Sequence, residues 1–166
     1  MDIFQKILLI AQPLVGSSIV TLLGGNLSKN SQQWYKNLKQ SSLTPPPRVF
    51  PIAWSILYIL LGLNIFFVYN KIKSYNRPSV YNSLFLRDYF VFYEIQLLLN
   101  FAWSFAFFYF KKPLISLFII AIMIGLTIYL LIKAFSISKP AFYTLIPYII
   151  WISFAMYLNW YVVVNN

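Results

Sequence analysis

Cysteine and histidine are both missing from this 166-residue chain. Their absence removes disulfides, thiolate metal sites, thiol nucleophiles, imidazole bases and the commonest axial ligand of haem iron. Carboxylates are almost as scarce, with Asp2, Asp88 and Glu94 the only three. The last two stand six residues apart, so a helix turns them to largely different faces, which argues against a two-carboxylate hydrolase. A serine nucleophile without histidine has to borrow a lysine. The lysines, however, lie near the ends of apolar runs, where ammonium groups ordinarily snorkel to lipid headgroups. Acid–base chemistry has almost no candidates.

What is abundant is apolar surface and positive charge. The chain is 60% hydrophobic with a mean hydropathy of +0.71, more than a soluble domain of this length can hide and what lipid accepts. The apolar stretches are long rather than alternating over short segments, which argues for helices and against a membrane barrel. Five runs reach membrane length, at about residues 6–27, 51–70, 89–110, 114–135 and 142–164. The first is read as a span rather than a cleaved signal peptide. It carries Pro13, continues past Gly16 and lacks a small-residue cleavage site. The expected fold is an all-α integral membrane protein, a single five-transmembrane-helix bundle over residues 1–166 with a structured loop between the first two helices. Function then resides in the bundle and its short connections.

The formal charge of +10 raises nucleic acid as a partner, but the positions of the charges argue for membrane lipid. Lys29, Lys36, Lys39, Arg48, Lys71, Lys73, Arg77, Arg87, Lys111, Lys112, Lys133 and Lys139 flank or connect the spans, where cations meet headgroups. They divide almost evenly between the two sides, so the positive-inside rule does not orient the protein.

The richest segment is Trp34 to Tyr58, WYKNLKQSSLTPPPRVFPIAWSILY. Pro45, Pro46 and Pro47 cannot continue a helix, which predicts an extended, stiff connector at the membrane surface. Trp54 and Tyr58 fall on one face of the following helix, able to roof and line a pocket. In the third span Gln96, Asn100, Trp103 and Phe107 share one helical stripe that should face the bundle interior. Interhelical hydrogen bonding and ligand contact are both open readings of it. In the fifth span Pro147, Trp151, Ala155, Leu158 and Asn159 form a second stripe, with a kink near Pro147 and a small residue among large ones. Ala155 leaves room for a neighbouring helix or a ligand. Ala102 and Ala106 make a small-xxx-small pattern, a weak sign of helix association.

The order of these motifs resembles the translocator protein family, also called the tryptophan-rich sensory or peripheral-type benzodiazepine receptor family. The matching elements are Pro13 and Gly16, WY..L from Trp34, PP..VF from Pro46, W...LY from Trp54, Q...N.AW....F from Gln96 and PY..W..FA...N from Pro147. The resemblance covers essentially the whole chain. It implies a five-helix bundle whose pocket is covered by the first connection, binding hydrophobic ligands: chiefly porphyrins, with sterols and synthetic benzodiazepine-type compounds in some members. Carried over, the pocket comprises Trp54, Tyr58, Asn100, Trp103, Phe107, Trp151, Phe154, Ala155 and Leu158. The lid comprises Trp34, Pro45, Pro46, Pro47, Arg48 and Phe50. No cofactor is obligatory, and protoporphyrin IX or haem is the expected ligand. A homodimer is the expected assembly, and the bacterial inner membrane the expected location, with the mitochondrial outer membrane as alternative.

Two departures bear on ligand choice. The family's sterol pattern wants a basic residue after a tyrosine near the end of the last helix, yet Tyr161 is followed by VVVNN. Ile115 and Ile119 stand near the start of the fourth span, where many relatives have Trp and an acidic residue, and so predict an altered pocket wall. Three functions fit. The chain reads first as a ligand-binding sensor or regulator of tetrapyrrole or stress responses, then as a transporter of porphyrin or sterol, then as a light- or oxygen-dependent porphyrin-degrading enzyme. Coupled transport lacks an inverted repeat and intramembrane charge pairs. For the enzyme reading the relevant residues are the electron-rich Trp34, Trp54, Trp103 and Trp151 around the bound ring.

Overall fold

A computed structural model describes residues 28–73 and 80–166. The first predicted span, 6–27, with Pro13 and Gly16, lies outside the described residues. Those described are all-helical: α1 (Ser28–Asn37), α2 (Val49–Lys73), α3 (Val80–Ser104), a π-helical turn (Phe105–Tyr109), α4 (Pro113–Ile137) and α5 (Lys139–Asn165). Among the described residues, four stretches are long and apolar enough to cross a bilayer, Val49–Lys71, Arg87–Tyr109, Pro113–Ile137 and Lys139–Asn165.

α5 is the central element, packed against both α4 and α2, while α3 packs on α4. Its buried stripe, Ala141, Leu145, Tyr148, Ile152, Ala155, Leu158, Asn159 and Val162, keeps the three-and-four spacing of one helical face. Pro147 lies outside that stripe and is exposed, which corrects the predicted fifth-span face by one residue. Proline cannot donate a backbone hydrogen bond, so it leaves one carbonyl of the preceding turn without its helical partner.

α2 and α3 are joined chiefly through tyrosines. Tyr58 donates to Asn100 Oδ1 at 2.7 Å, Tyr89 to Asn64 Oδ1 at 2.7 Å and Tyr93 to the Leu61 carbonyl at 2.9 Å. Asn64 in turn donates to the Ala141 carbonyl of α5 at 2.8 Å. Each of these buried amides and phenols thus finds a protein partner where no water is on hand.

Two local features were not expected. The connector predicted to be extended carries the ten-residue helix α1, and Trp34 sits on it. Only the stretch around the three prolines is irregular, tightened by Thr44 N–H to Ser41 O and Val49 N–H to Pro46 O, both at 2.9 Å. The second feature is the π turn, where Phe110 N–H reaches back five residues to Phe105 O at 2.9 Å. It buries Ala106 and Phe107. Lys111 then adopts φ 53°, a left-handed conformation that costs a residue with a Cβ some strain and lets the chain reverse before Pro113 opens α4. Because Ala106 is buried and Ala102 exposed, the small-xxx-small pattern does not present both alanines to a second chain.

Candidate aromatic site beneath a lid

Trp54 emerges from the first turns of α2 at the centre of a ring cluster. Its indole stacks on Tyr58 at 5.6 Å and meets Trp103 at 6.3 Å and Trp151 edge-on at 6.4 Å. Trp103 stacks on Phe107 at 5.9 Å, and Trp151 touches Phe154 at 6.0 Å. Two further rings end the chain: Phe50, predicted as a lid residue but found in the first turn of α2, lies edge-on to Trp151 at 6.1 Å, and Trp34 of the lid helix lies edge-on to Phe107 at 5.7 Å. Each such pair contributes about 0.5–1.5 kcal/mol beyond area burial. Ala155 and Leu158 are buried on the same face of α5 as this cluster.

The structure therefore brings together most of the pocket residues named from the sequence, and two of the lid residues. Arg48, Pro46 and Pro47 are exposed, and Pro45 is half-buried. Ile115 is 53% exposed on α4, while Ile119 packs against the core.

The rings are bordered by two hydrogen-bonded networks. Asn100 accepts from Tyr58 and donates from Nδ2 to the Tyr148 hydroxyl at 3.1 Å; Gln96 Nε2 donates to the same hydroxyl at 2.9 Å. Trp103 Nε1 donates to Asn159 Oδ1 at 3.1 Å, which also accepts from Ser116 Oγ at 2.8 Å, while Asn159 Nδ2 donates to Pro113 O at 2.8 Å. Asn100 and Trp103, for whose stripe interhelical bonding and ligand contact were both open, thus make interhelical hydrogen bonds within the protein. Two buried polar atoms among the described residues have no partner, Trp151 Nε1 and Gln96 Oε1. An orphan indole N–H in the ring cluster is a donor held ready.

The lid is latched at separate points. Ser31 Oγ donates to Phe108 O at 2.9 Å, Ser41 Oγ and the Tyr157 hydroxyl are 3.0 Å apart, and Lys39 N–H donates to Asn166 Oδ1 at 2.9 Å. Tyr35 packs on Phe107 and Phe108 at 6.0 and 5.8 Å. Burial raises its phenol above the ordinary value, so it stays neutral at physiological pH.

Tyr148 was missed in the sequence. Its signal was the spacing of seven to Ala155, one residue off the stripe drawn through Pro147. Tyr157 was missed because its partner Ser41 lies 116 positions away.

The TspO/MBR family profile matches residues 9–164. This chain belongs to the TspO/MBR family. Similar members include Tryptophan-rich protein TspO of Chlorobaculum tepidum, 34% identical over 149 residues and 89% of each chain. Tryptophan-rich protein TspO of Bacillus cereus is 32% identical over 131 residues, 76% of each. Translocator protein of Sus scrofa is 28% identical over 159 residues, 93% of this chain and 90% of the relative. As a TspO/MBR member with several membrane-length helices, the chain is an integral membrane protein.

Proposed function

We propose that the ring cluster binds a flat hydrophobic ligand of the porphyrin class and that lid position reports its occupancy, making the chain a sensor or regulator of tetrapyrrole or stress responses. The observation that carries this reading is the unbroken chain of rings from Phe50 through Trp151, Trp54, Trp103 and Phe107 to Trp34. A flat ligand enters such a cluster by exchanging ring–ring contacts for ring–ligand contacts. Because one end of the chain is Trp34 on the lid helix α1, that exchange moves the lid. Trp151 Nε1 supplies a donor to a pyrrole nitrogen or carboxylate, and Arg48, exposed at the start of α2, a cation for a propionate arm. The bacterial members among its relatives favour a bacterial inner membrane.

The ligand class is tested by titration. Without histidine there is no imidazole to ligate iron, so protoporphyrin IX binds at least as tightly as haem, and the haem complex lacks an imidazole-ligated spectrum. Haem binding far tighter than protoporphyrin IX, with axial-ligand bands, contradicts the reading.

The lid is tested separately. Tyr157→Phe removes the Ser41 contact and leaves the ring cluster intact. One hydrogen bond contributes about 0.5–1.5 kcal/mol, so ligand association and dissociation both accelerate about two- to tenfold in stopped-flow measurements, with little change in affinity. Unchanged rates would detach the lid from ligand entry.

A further inference from the structure

At the end of the bundle opposite the lid, the last turns of α2 and α4 and the start of α5 enclose a groove of about 550 Å3. Its walls carry Phe67, Phe135 and Ile137, and its rim carries Lys71, Lys139 and Ser138. Three membrane-length stretches terminate here: Lys71 ends that of α2, Ile137 ends that of α4 and Lys139 begins that of α5. The groove is therefore at headgroup depth, with its apolar walls on the hydrocarbon side.

A single lysine at a span end needs no explanation beyond snorkelling. Here two lysines from separate helices edge one concavity. The Lys139 ammonium lies over the Phe135 ring, 2.9 Å from its centroid, which keeps the cation on the groove wall. Ser138 is extended at φ −156°, ψ 116°, and its hydroxyl makes no capping bond to α5, so it is not committed to the helix end. Asn70 and Ser136 add further polar side chains to the lining. Lys133 stands just before this corner on α4, and Arg87 with Asp88 at the membrane end of α3, so among the described residues the charge around the groove is predominantly positive.

We propose that this groove holds the headgroup of an anionic phospholipid from the surrounding bilayer. Its phosphate sits between Lys71 and Lys139, the hydroxyls and amide receive the remaining headgroup oxygens and hydroxyls, and the first acyl segment lies on Phe67, Phe135 and Ile137. A zwitterionic lipid carries the same phosphate but brings its own cation to a rim that is already positive, and so binds less well. The site is separate from the aromatic cluster and does not depend on which ligand that cluster takes.

Native mass spectrometry of the full-length chain in detergent, titrated with phosphatidylglycerol and with phosphatidylcholine of matched acyl chains, tests the assignment. Phosphatidylglycerol should bind several-fold more tightly. Lys71→Gln and Lys139→Gln should each weaken it by about fivefold, the effect of about one surface cation on an anionic lipid. The Lys→Arg variants should retain it, and Lys111→Gln with Lys112→Gln at the other surface should leave it unchanged. The double Gln variant should keep its melting temperature and protoporphyrin IX affinity, which shows that the fold is intact. Equal affinity for the two lipids, or full phosphatidylglycerol affinity in the double variant, would overturn the proposal. Displacement of the lipid by millimolar inorganic phosphate would also overturn it, assigning the groove to a soluble anion.

Discussion

Trp54→Ala weakens protoporphyrin IX binding by about 30-fold or more. Among the described residues the indole is the one ring in contact with Tyr58, Trp103 and Trp151 together, at 5.6, 6.3 and 6.4 Å. Truncating a central tryptophan of a binding surface costs about 2 kcal/mol or more, which is about 30-fold in affinity. The truncation also leaves a cavity in a packed cluster, so some loss of thermal stability accompanies it. Trp54→Phe separates the two effects: it keeps an aromatic face and should retain most of the affinity. Trp160→Ala is the control, since that indole is 49% exposed. The readout is quenching of tryptophan emission on titration in nanodiscs, with empty discs subtracted. Equal affinity in the Trp54→Ala and Trp160→Ala proteins would remove Trp54 from the site.

Asn100→Leu destabilises the bundle. Asn100 is buried and bridges Tyr58 on α2 to Tyr148 on α5 by bonds of 2.7 and 3.1 Å. Leucine has similar bulk but leaves the Tyr58 hydroxyl without a partner, whereas Tyr148 still accepts from Gln96. Stranding a buried hydroxyl costs about 1–3 kcal/mol, and for a chain of this length each kcal/mol lowers the melting temperature by about 2–4 °C. In a membrane the loss lies toward the lower end, because the unfolded helices find other partners in lipid. Protoporphyrin IX affinity falls with it, since Tyr58 then no longer holds its ring against Trp54. Tyr58→Phe in the Asn100→Leu background should recover part of the stability by removing the stranded group. Failure of that rescue would show that Asn100 acts through packing instead.

The aromatic cluster was legible in the sequence because lipid simplifies the reading. Amides at Gln96, Asn100 and Asn159 cannot face hydrocarbon cheaply, so their spacing identifies the inward faces of α3 and α5. Trp54, Trp103 and Trp151 follow from those faces by helical periodicity. What escaped depends on tertiary context. α1 is a polar helix, held in place by Ser31, Trp34 and Tyr35 against the π turn, and nothing in its own sequence announces that docking. The π turn itself inserts one extra residue per bonded ring and changes the phase of α3 after Ser104. Phe107 remains buried there while Phe108 reaches both Trp103 and Tyr35. On α5 the proline drew the stripe one residue away from Tyr148, although the exposed position of Pro147 suits a residue with no backbone donor. At Asn100 and Trp103 the structure shows interhelical hydrogen bonding, one of the two readings that their stripe left open. Their donors close the protein's own network, and among the described residues the unpartnered buried donor is Trp151 Nε1.

Photo-crosslinking with a diazirine-bearing protoporphyrin IX derivative, followed by peptide mass spectrometry, tests most directly whether the ring cluster under the lid is the ligand site. Adducts should concentrate on the segments carrying Trp54 and Tyr58, Trp103 and Phe107, and Trp151 to Leu158. Excess unlabelled protoporphyrin IX should suppress them, and Trp54→Ala should reduce them. Adducts confined to the outward face of α4, at Phe118, Ile122 and Ile132, and insensitive to competition would mean that the porphyrin merely partitions into the surrounding lipid, contradicting the account.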